Sequence, residues 1–375
     1  MSEIIYLDNA STTMVSSYVN GKIRKYLSYY GNYSSINMSG LVIRSLIDSY
    51  KTSIANLLNC NSSEIIFTSC ATESNNLALR GLLSCKSNIY VLTTTVEHSS
   101  ILNVLYEFRD RITILKLPVN SNCELSNNKI NDIYIKYDIY LTSIIYVNNE
   151  TGIINNINYI STLCIRYGSL LHIDASQALD KLKLNIGKLQ VTSLTISGHK
   201  FHSLQGIGIL YINSHFVNLV KPQILGGGQQ FGIRSGSLPF IQIVSICEAI
   251  IDSYRNYDVY NNKVKFLYEY MISYLKEIFP SNFFYINSLY KVPHITNMSI
   301  FNFNSNSLIQ LLDNIVVSNS SACNSGLHAY SRILSKVKPT NGDLISYFRV
   351  SLSRYNSTSD IFNFVNRLKS IICSF

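Results

Sequence analysis

Between about residues 64 and 212, short β-branched runs alternate with amphipathic segments, and this alternation constrains the fold more than any other feature of the chain. EIIFTS, NIYVLTTT, YLTSIIYV, SLLHID, SLTIS and GIGILYI read as strands, being short, apolar and rich in Ile, Val, Thr and Tyr. Between several of them, SNNLALRGLL and INNINYISTLCIRYG repeat their apolar residues at helical spacing. Strand followed repeatedly by helix predicts α/β architecture: a largely parallel sheet with helices on both faces. Sheets of that kind bind ligands outside the carboxyl ends of their strands.

Beyond about residue 240 the pattern changes. VSICEAIIDSYRNYDVYNNKVKFLYEYMISYLKEIF reads as a long helical stretch, followed by shorter strands and helices such as ITNMSIFNF and SLIQLLDNIV. A domain boundary is expected inside that stretch, near residue 255. At 375 residues the chain has room for two domains, and 47% hydrophobic against 14% charged residues fits a compact protein.

No apolar run approaches the ~18 residues of a membrane span. MSEIIYLDNASTT lacks the basic-then-apolar pattern of a secretory signal, so a cytoplasmic location is expected. The formal net charge of +9 is scattered without a Lys/Arg run, which argues against direct nucleic-acid binding. The eight cysteines include no CxxC and no Cys/His set with zinc spacing, so reduced thiols and no metal are expected. Most of them, Cys164 and Cys247 included, read as core.

Four strand ends carry polar residues that together describe one site. After EIIFTS comes CATESNN and a helical pattern, so backbone N–H groups with Thr72 beside them form a cup for a phosphate. A Thr at a helix start is also an ordinary N-cap. SLLHIDASQ ends an apolar strand on Asp174, and a buried carboxylate needs a partner, which a protonated pyridine nitrogen provides. A helix N-cap is the plainer alternative there. SLTISGHK puts Lys200 directly after a strand, behind Ser197, Gly198 and His199. At the dry end of a sheet a lysine's pKa falls, which suits attachment of an aldehyde, although a solvated loop lysine is the ordinary outcome. Lys200 follows Asp174 by one strand–helix–strand step, so a pyridine ring carried on Lys200 would reach Asp174 and act as an electron sink. TTTVEHSSI places His98 at a helix start, suited to stacking on a flat ring, to moving protons, or to a structural position. The glycine-rich LGGGQQFGIRSGS ends on Ser237, a further candidate phosphate contact.

YLDNASTT, FTSCATESNN, TTVEHSS, VNNETGIINNI, HIDASQALDKLKLNI, SGHKFHSLQGIGILYI, GGGQQFGIRSGSLP and SNSSACNSG occur in the order found in group I cysteine desulfurases. These are the nitrogen-fixation and iron–sulfur-cluster type within the class V pyridoxal-phosphate-dependent aminotransferases. The chain resembles that family from Tyr6 to about Arg354. The resemblance implies the type I fold of pyridoxal-phosphate-dependent transferases, with a largely parallel mixed sheet in a cofactor domain over residues 14–255. A smaller α+β domain would combine residues 1–13 and 256–375.

The same resemblance implies that Lys200 carries pyridoxal 5'-phosphate and Asp174 pairs with its ring nitrogen. Gln177 and Asn149 would lie on the ring-oxygen side, and His98 would stack on the ring. Ala71, Thr72, Ser197 and His199 would hold the phosphate, with Ser237 reaching in from the partner of a homodimer. Arg349 in FRVSLSR would bind the substrate carboxylate, for which a guanidinium fork is well shaped, and Asn149 would also contact substrate. Cys323 in SNSSACNSG would take sulfur from L-cysteine, leaving L-alanine and a persulfide for an acceptor protein, either an iron–sulfur scaffold or a tRNA-thiolating enzyme. Judged by type alone a cysteine is more often inert core, but a run of small polar residues suits a loop that carries a thiol inward and outward.

The chain departs from the family pattern at several points. Cys70 stands where Gly is usual, and FHSLQG, with Gln205, replaces a Gly-Pro-Lys-Gly ending. Gln230 and Phe231 replace a commonly charged pair, and Tyr33 and Asn37 replace a usual Pro and His. None removes a catalytic group, so activity is expected, with rate or cofactor retention altered. Many bacterial relatives continue past the equivalent of Arg354 into a longer tail that helps dock the scaffold, which leaves that partnership open. Two other readings stay open: a lyase or aminotransferase for another amino acid, selenocysteine included, and an inactive interaction protein.

Overall fold

The computed structural model describes residues 4–280, 283–300, 303–319 and 347–374. Seven strands form the main sheet: β2 (Ile65–Thr68), β3 (Ile89–Thr94), β4 (Ile112–Leu117), β5 (Ile139–Ile145), β6 (Leu170–Asp174), β7 (Ser193–Ser197) and β8 (Gly208–Ile212), after a short β1 (Ile5–Tyr6). Their spatial order is β2-β8-β7-β6-β5-β3-β4. All neighbours are parallel except at β8, which runs against both β2 and β7. The sheet is therefore mixed and largely parallel.

Alternate side chains leave a strand on opposite faces, and here both faces are dry. Ile65, Phe67, Leu92 and Ile209 join a core with the helices Ser17–Tyr26, Met38–Leu58 and Phe240–Arg255. Their neighbours Ile66, Val91 and Leu210 join a second core with the helices Ala71–Leu83 and Ser99–Glu107. Strands walled on both sides are largely apolar, which is why they read as near-continuous runs.

A four-stranded antiparallel sheet lies beyond residue 280, in the order β12-β13-β10-β9: β9 (Phe283–Tyr285), β10 (Ile295–Ile300), β12 (Ser318–Asn319) and β13 (Tyr347–Ser351). Strand β11 (Ile315–Val316) pairs in parallel with β1. The core of this part combines Ile5 and Leu7 with the helices Tyr257–Ile278 and Thr358–Cys373.

Three expectations need correction. Strand β4 was not anticipated, because Thr113 and Lys116 break its apolar run; it is an edge strand on which those two residues are exposed. The long helical stretch is two helices, broken at Asn256 (φ −110°, ψ 16°). Fewer than half of the described cysteines are core. Of the seven described, Cys123, Cys164 and Cys247 are buried, Cys60 and Cys70 are half-buried, and Cys85 and Cys373 are exposed.

Several departures from the family pattern have plain structural roles. Asn37 caps the helix Met38–Leu58 by accepting from Gly40 N, and Tyr33 donates to Asp48 at 2.9 Å. Gln230 lies along edge strand β2, accepting from Phe67 N (2.7 Å) and donating to Phe67 O (2.9 Å). Its amide thus completes hydrogen bonds that an open sheet edge would leave exposed. Cys70 has extended backbone (φ −171°, ψ 172°), so no glycine is needed there.

Glycine is required instead across the sheet. A Cβ on Gly208 would lie 2.8 Å from the Cys70 carbonyl carbon and 2.9 Å from Thr68 Oγ1. Gly208→Ala therefore forces the β2 turn away from β8, and a cost of about 1–3 kcal/mol is expected from such overpacking. A fall in the thermal unfolding midpoint checks this, and an unchanged midpoint would show that the turn yields freely.

Candidate active site

Strands β2, β3, β5, β6 and β7 run the same way, so their carboxyl ends share one edge of the sheet. Asp174 closes β6, and Lys200 stands three residues past the end of the adjacent β7. The two lie on the same edge, not on opposite sides.

Asp174 is 2% exposed. Its Oδ1 accepts from Ser176 N (3.0 Å) and Ser176 Oγ (2.5 Å), and its Oδ2 accepts from Asn75 Nδ2 (2.9 Å). The carboxylate therefore caps a tight turn at Ser176 and not a helix. Oδ2 retains room for one more donor, since a carboxylate oxygen accepts about two.

Lys200 Nζ donates to the carbonyls of Ala10 (2.8 Å) and Ser11 (2.5 Å). Gln177 is buried and donates to the same Ala10 carbonyl at 2.8 Å, while its Oε1 has no partner among the described residues. The segment from Asp8 to Thr13 acts as a strap over this edge. Thr13 N donates to His199 O (2.9 Å), and Thr13 Oγ1 accepts from His202 N (2.7 Å). His199 Nδ1 meets Thr12 Oγ1 at 3.0 Å, and Gln205 donates to that hydroxyl at 3.2 Å. Burial, reinforced by the Lys200 ammonium, pushes His199 down to about 4, so it is neutral near pH 7.

Ala71 and Thr72 open the helix Ala71–Leu83, whose cap residue Cys70 makes no side-chain cap bond. The first N–H groups of that helix are left for another acceptor. Ser197 is buried at the end of β7. His98 is the N-cap of the helix Ser99–Glu107, its Nδ1 accepting from Ser100 N at 3.1 Å. These residues and Asp174 are brought to the same edge.

Arg349 approaches from β13. Its Nη1 donates to the Asn149 carbonyl (2.8 Å), and its Nη2 donates to Asp8 Oδ1 (2.8 Å) and Ser11 Oγ (2.7 Å). Ser11 thus touches both Arg349 and Lys200. The Arg349 side chain is 3% exposed and already meets one carboxylate, a contact that residue types alone do not reveal. Asn149 has a half-exposed side chain, while its neighbour Asn148 makes the turn by accepting from Glu150 N and Thr151 N. Ser237 is exposed on the glycine-rich loop, which Arg234 ties to the start of the Ala71 helix through Glu73 (2.8 Å). Cys323 lies outside the described residues.

Residues not singled out from the sequence complete the site: Asp8, Ala10, Ser11, Asn75, Glu97, Ser100 and His172. His172 was readable in principle, because in HID it shares a strand face with Asp174. Asn75 likewise sits one helical turn past Thr72.

Comparisons with known proteins give the family. The aminotransferase class-V family model matches residues 5–364. The chain belongs to the class-V aminotransferases. Cysteine desulfurase IscS of Buchnera aphidicola subsp. Acyrthosiphon pisum is 33% identical over 375 residues, covering 96% of this chain and 91% of that protein. Cysteine desulfurase IscS of Plasmodium falciparum is 32% identical, covering 98% of this chain and 68% of that one. The NifS-like protein from Rickettsia africae superposes with a TM-score of 0.87 at 28% identity, covering 99% of this chain and all of that chain, 100%. A further NifS-like protein gives 0.90 at 26% identity over the same shares. The expected fold, a largely parallel mixed sheet flanked by helices with a further α+β part, is the fold found.

One buried group in this class-V site titrates near neutrality. Glu97 Oε1 accepts from Thr94 Oγ1 (2.7 Å) and Ile145 N (3.0 Å), while Oε2 has no partner among the described residues. Burial, with a smaller push from the Asp174 charge, raises its pKa from 4.5 to about 8. The folded protein therefore holds a proton that the unfolded chain releases above about pH 4.5. Glu97 thus costs stability as pH rises from 4.5 to 8, and the cost levels off above that. Glu97→Gln is expected to remove this slope, at most about 1.4 kcal/mol per pH unit. Urea unfolding at pH 5, 6.5 and 8 checks it: the variant should gain on wild type at each step, whereas parallel curves would mean Glu97 is already ionised.

Proposed function

We propose that this chain is a cysteine desulfurase that binds pyridoxal phosphate at Lys200 and passes sulfur from free L-cysteine to Cys323. The observation that carries the reading is the pairing of Lys200 and Asp174 on adjacent parallel strand ends, beside a helix start that lacks a side-chain cap. The acceptors and donors suit this cofactor. Asp174 Oδ2 has room for a protonated ring nitrogen, the first turn at Ala71 and Thr72 suits a phosphate, and Gln177 carries a buried oxygen that still needs a donor.

Pyridoxal phosphate supplies an electron sink that lets the α-proton of an amino acid leave and weakens the bond from its β-carbon to sulfur. Lys200 would hold the cofactor aldehyde and, as a free amine, would take the α-proton, the Ala10 and Ser11 carbonyls orienting its Nζ. Asp174 keeps the ring nitrogen protonated. His98 would cover the ring and would move protons at the substrate side. Ser197, His199 and Ser237 complete the phosphate site, Ser237 from the partner of a homodimer. Asn149 would lie on the ring-oxygen side.

Arg349 receives the substrate carboxylate, sharing its fork with Asp8. Cys323 attacks the substrate sulfur: the carbon–sulfur bond breaks, a sulfur–sulfur bond forms, and the carbon takes up a proton. L-cysteine and the Cys323 thiol thereby give L-alanine and the Cys323 persulfide, with no outside oxidant. The persulfide serves an acceptor protein in iron–sulfur cluster assembly or tRNA thiolation, in the cytoplasm. Residues 14–255 form the cofactor unit, and residues 1–13 with 256–375 form the unit that presents Arg349 and Cys323.

Lys200→Ala is expected to lower alanine formation from cysteine about 10²–10⁴-fold, the range lost with a positioned acid–base group. Cys323→Ala should abolish the protein-bound persulfide, read as one added sulfur by mass spectrometry. A persulfide that survives Cys323→Ala overturns the nucleophile. Undiminished turnover of another amino acid, such as selenocysteine, by Cys323→Ala would point to a lyase instead.

A further inference from the structure

Behind Asp174 lies a closed set of hydrogen bonds. Asn75 Nδ2 donates to Asp174 Oδ2 and to Ser100 Oγ, both at 2.9 Å. Asn75 Oδ1 faces His172 Nε2 at 3.1 Å, and His172 Nδ1 meets Ser193 Oγ at 2.8 Å. Ser100 Oγ in turn meets His98 Nδ1 at 2.8 Å. Asn75 and His172 are both fully buried.

The donor and acceptor inventory fixes every direction in this set. A carboxylate only accepts, so the Asn75 amino group must face Asp174. Its two hydrogens are then committed to Asp174 and Ser100, and its oxygen must accept from His172 Nε2–H. Burial pushes the His172 pKa down and keeps the ring neutral, so Nδ1 is bare and accepts from the Ser193 hydroxyl. At the other end Ser100 N already donates to His98 Nδ1, so that nitrogen is bare as well. The Ser100 hydroxyl, accepting from Asn75, sends its own hydrogen to His98.

We infer that Asn75 is a positioning residue for the cofactor site, holding the Asp174 carboxylate and, through Ser100, the tautomer and pitch of His98 as one unit. This rests on the reading of the edge as a pyridoxal-phosphate site. The two groups that meet the ring, one at its nitrogen and one on its face, share a single buried amide. Their spacing is set by side chains that never touch the ring. His172 fixes which way that amide points, because only its Nε2–H tautomer pairs with Asn75 Oδ1. A polar chain this deep is costly unless every member is satisfied, and here each is.

The test uses Asn75→Leu, which keeps the branched shape and removes both polar ends, and the pair His172→Gln and His172→Leu. Each protein is loaded with pyridoxal phosphate, and two properties are read: the rate of cofactor loss on dialysis, and the pH midpoint of the bound cofactor's visible absorbance. Asn75→Leu is expected to lose cofactor about ten- to a hundred-fold faster and to move the midpoint by about one unit, the scale of one hydrogen bond to a charged group. His172→Gln, whose amide can donate to Asn75 Oδ1, should titrate like wild type, while His172→Leu should follow Asn75→Leu. Equal disturbance by both His172 variants would mean packing alone and overturns the inference, as does an Asn75→Leu protein indistinguishable from wild type. The His172 pair keeps the test decisive if Asn75→Leu fails to fold. Wild type that takes up no cofactor sinks the reading of the site itself, and the inference with it.

Discussion

Two backbone carbonyls, those of Ala10 and Ser11, hold the Lys200 ammonium at the edge of the main sheet. Everything else in the site is arranged around that contact. A lysine at the end of a buried strand would otherwise swing to water, since its charge is expensive to keep in a dry place. The carbonyls come from a strap that is itself tied down on both sides. Thr13 pairs with His199 beside Lys200, and Asp8 and Ser11 bind Arg349 from the antiparallel sheet. Ala10 N and Asn9 also bond Ser351 in the same strand as Arg349. One short segment therefore fixes the lysine and the arginine relative to each other.

The electrostatics follow from burial. His172 and His199 are pushed down and Glu97 is pushed up, so near pH 7 all three lean to their neutral forms around the Asp174 carboxylate. A cationic ring nitrogen brought to this edge meets a carboxylate with no buried cation competing from those three side chains. The uncapped start of the Ala71 helix offers the opposite preference a few residues away, favouring an anion. A small molecule with a cationic ring and an anionic tail matches both ends.

Much of this was legible in the sequence, for a physical reason. Strands buried on both faces are largely apolar, so Asp174, Lys200 and His98 stand out as polar breaks at their ends. Asn75, Ser100, Glu97 and His172 were not found, because each is a modest polar residue whose importance lies in what it touches across the sheet. Asp8, Ala10 and Ser11 were quoted only as part of a motif, since a carbonyl that binds a lysine leaves no mark in residue type. Strand β4 escaped because an edge strand is half wet, and the break at Asn256 escaped because the helical periodicity continues on both sides of it. Cys323 lies where sequence and resemblance are the only guides. Tyr33, Asn37 and Gln230 looked like departures from the family, yet each makes a hydrogen bond of its own in this chain.

The account stands on Lys200 as the amine that carries pyridoxal phosphate. Borohydride fixes the cofactor irreversibly to whichever amine bears it, and peptide mass mapping of the reduced protein then reads the position. The label should appear on the peptide containing Lys200, one per chain, and should vanish in Lys200→Ala. A label on another lysine, or none after incubation with pyridoxal phosphate, would contradict the arrangement of the whole edge.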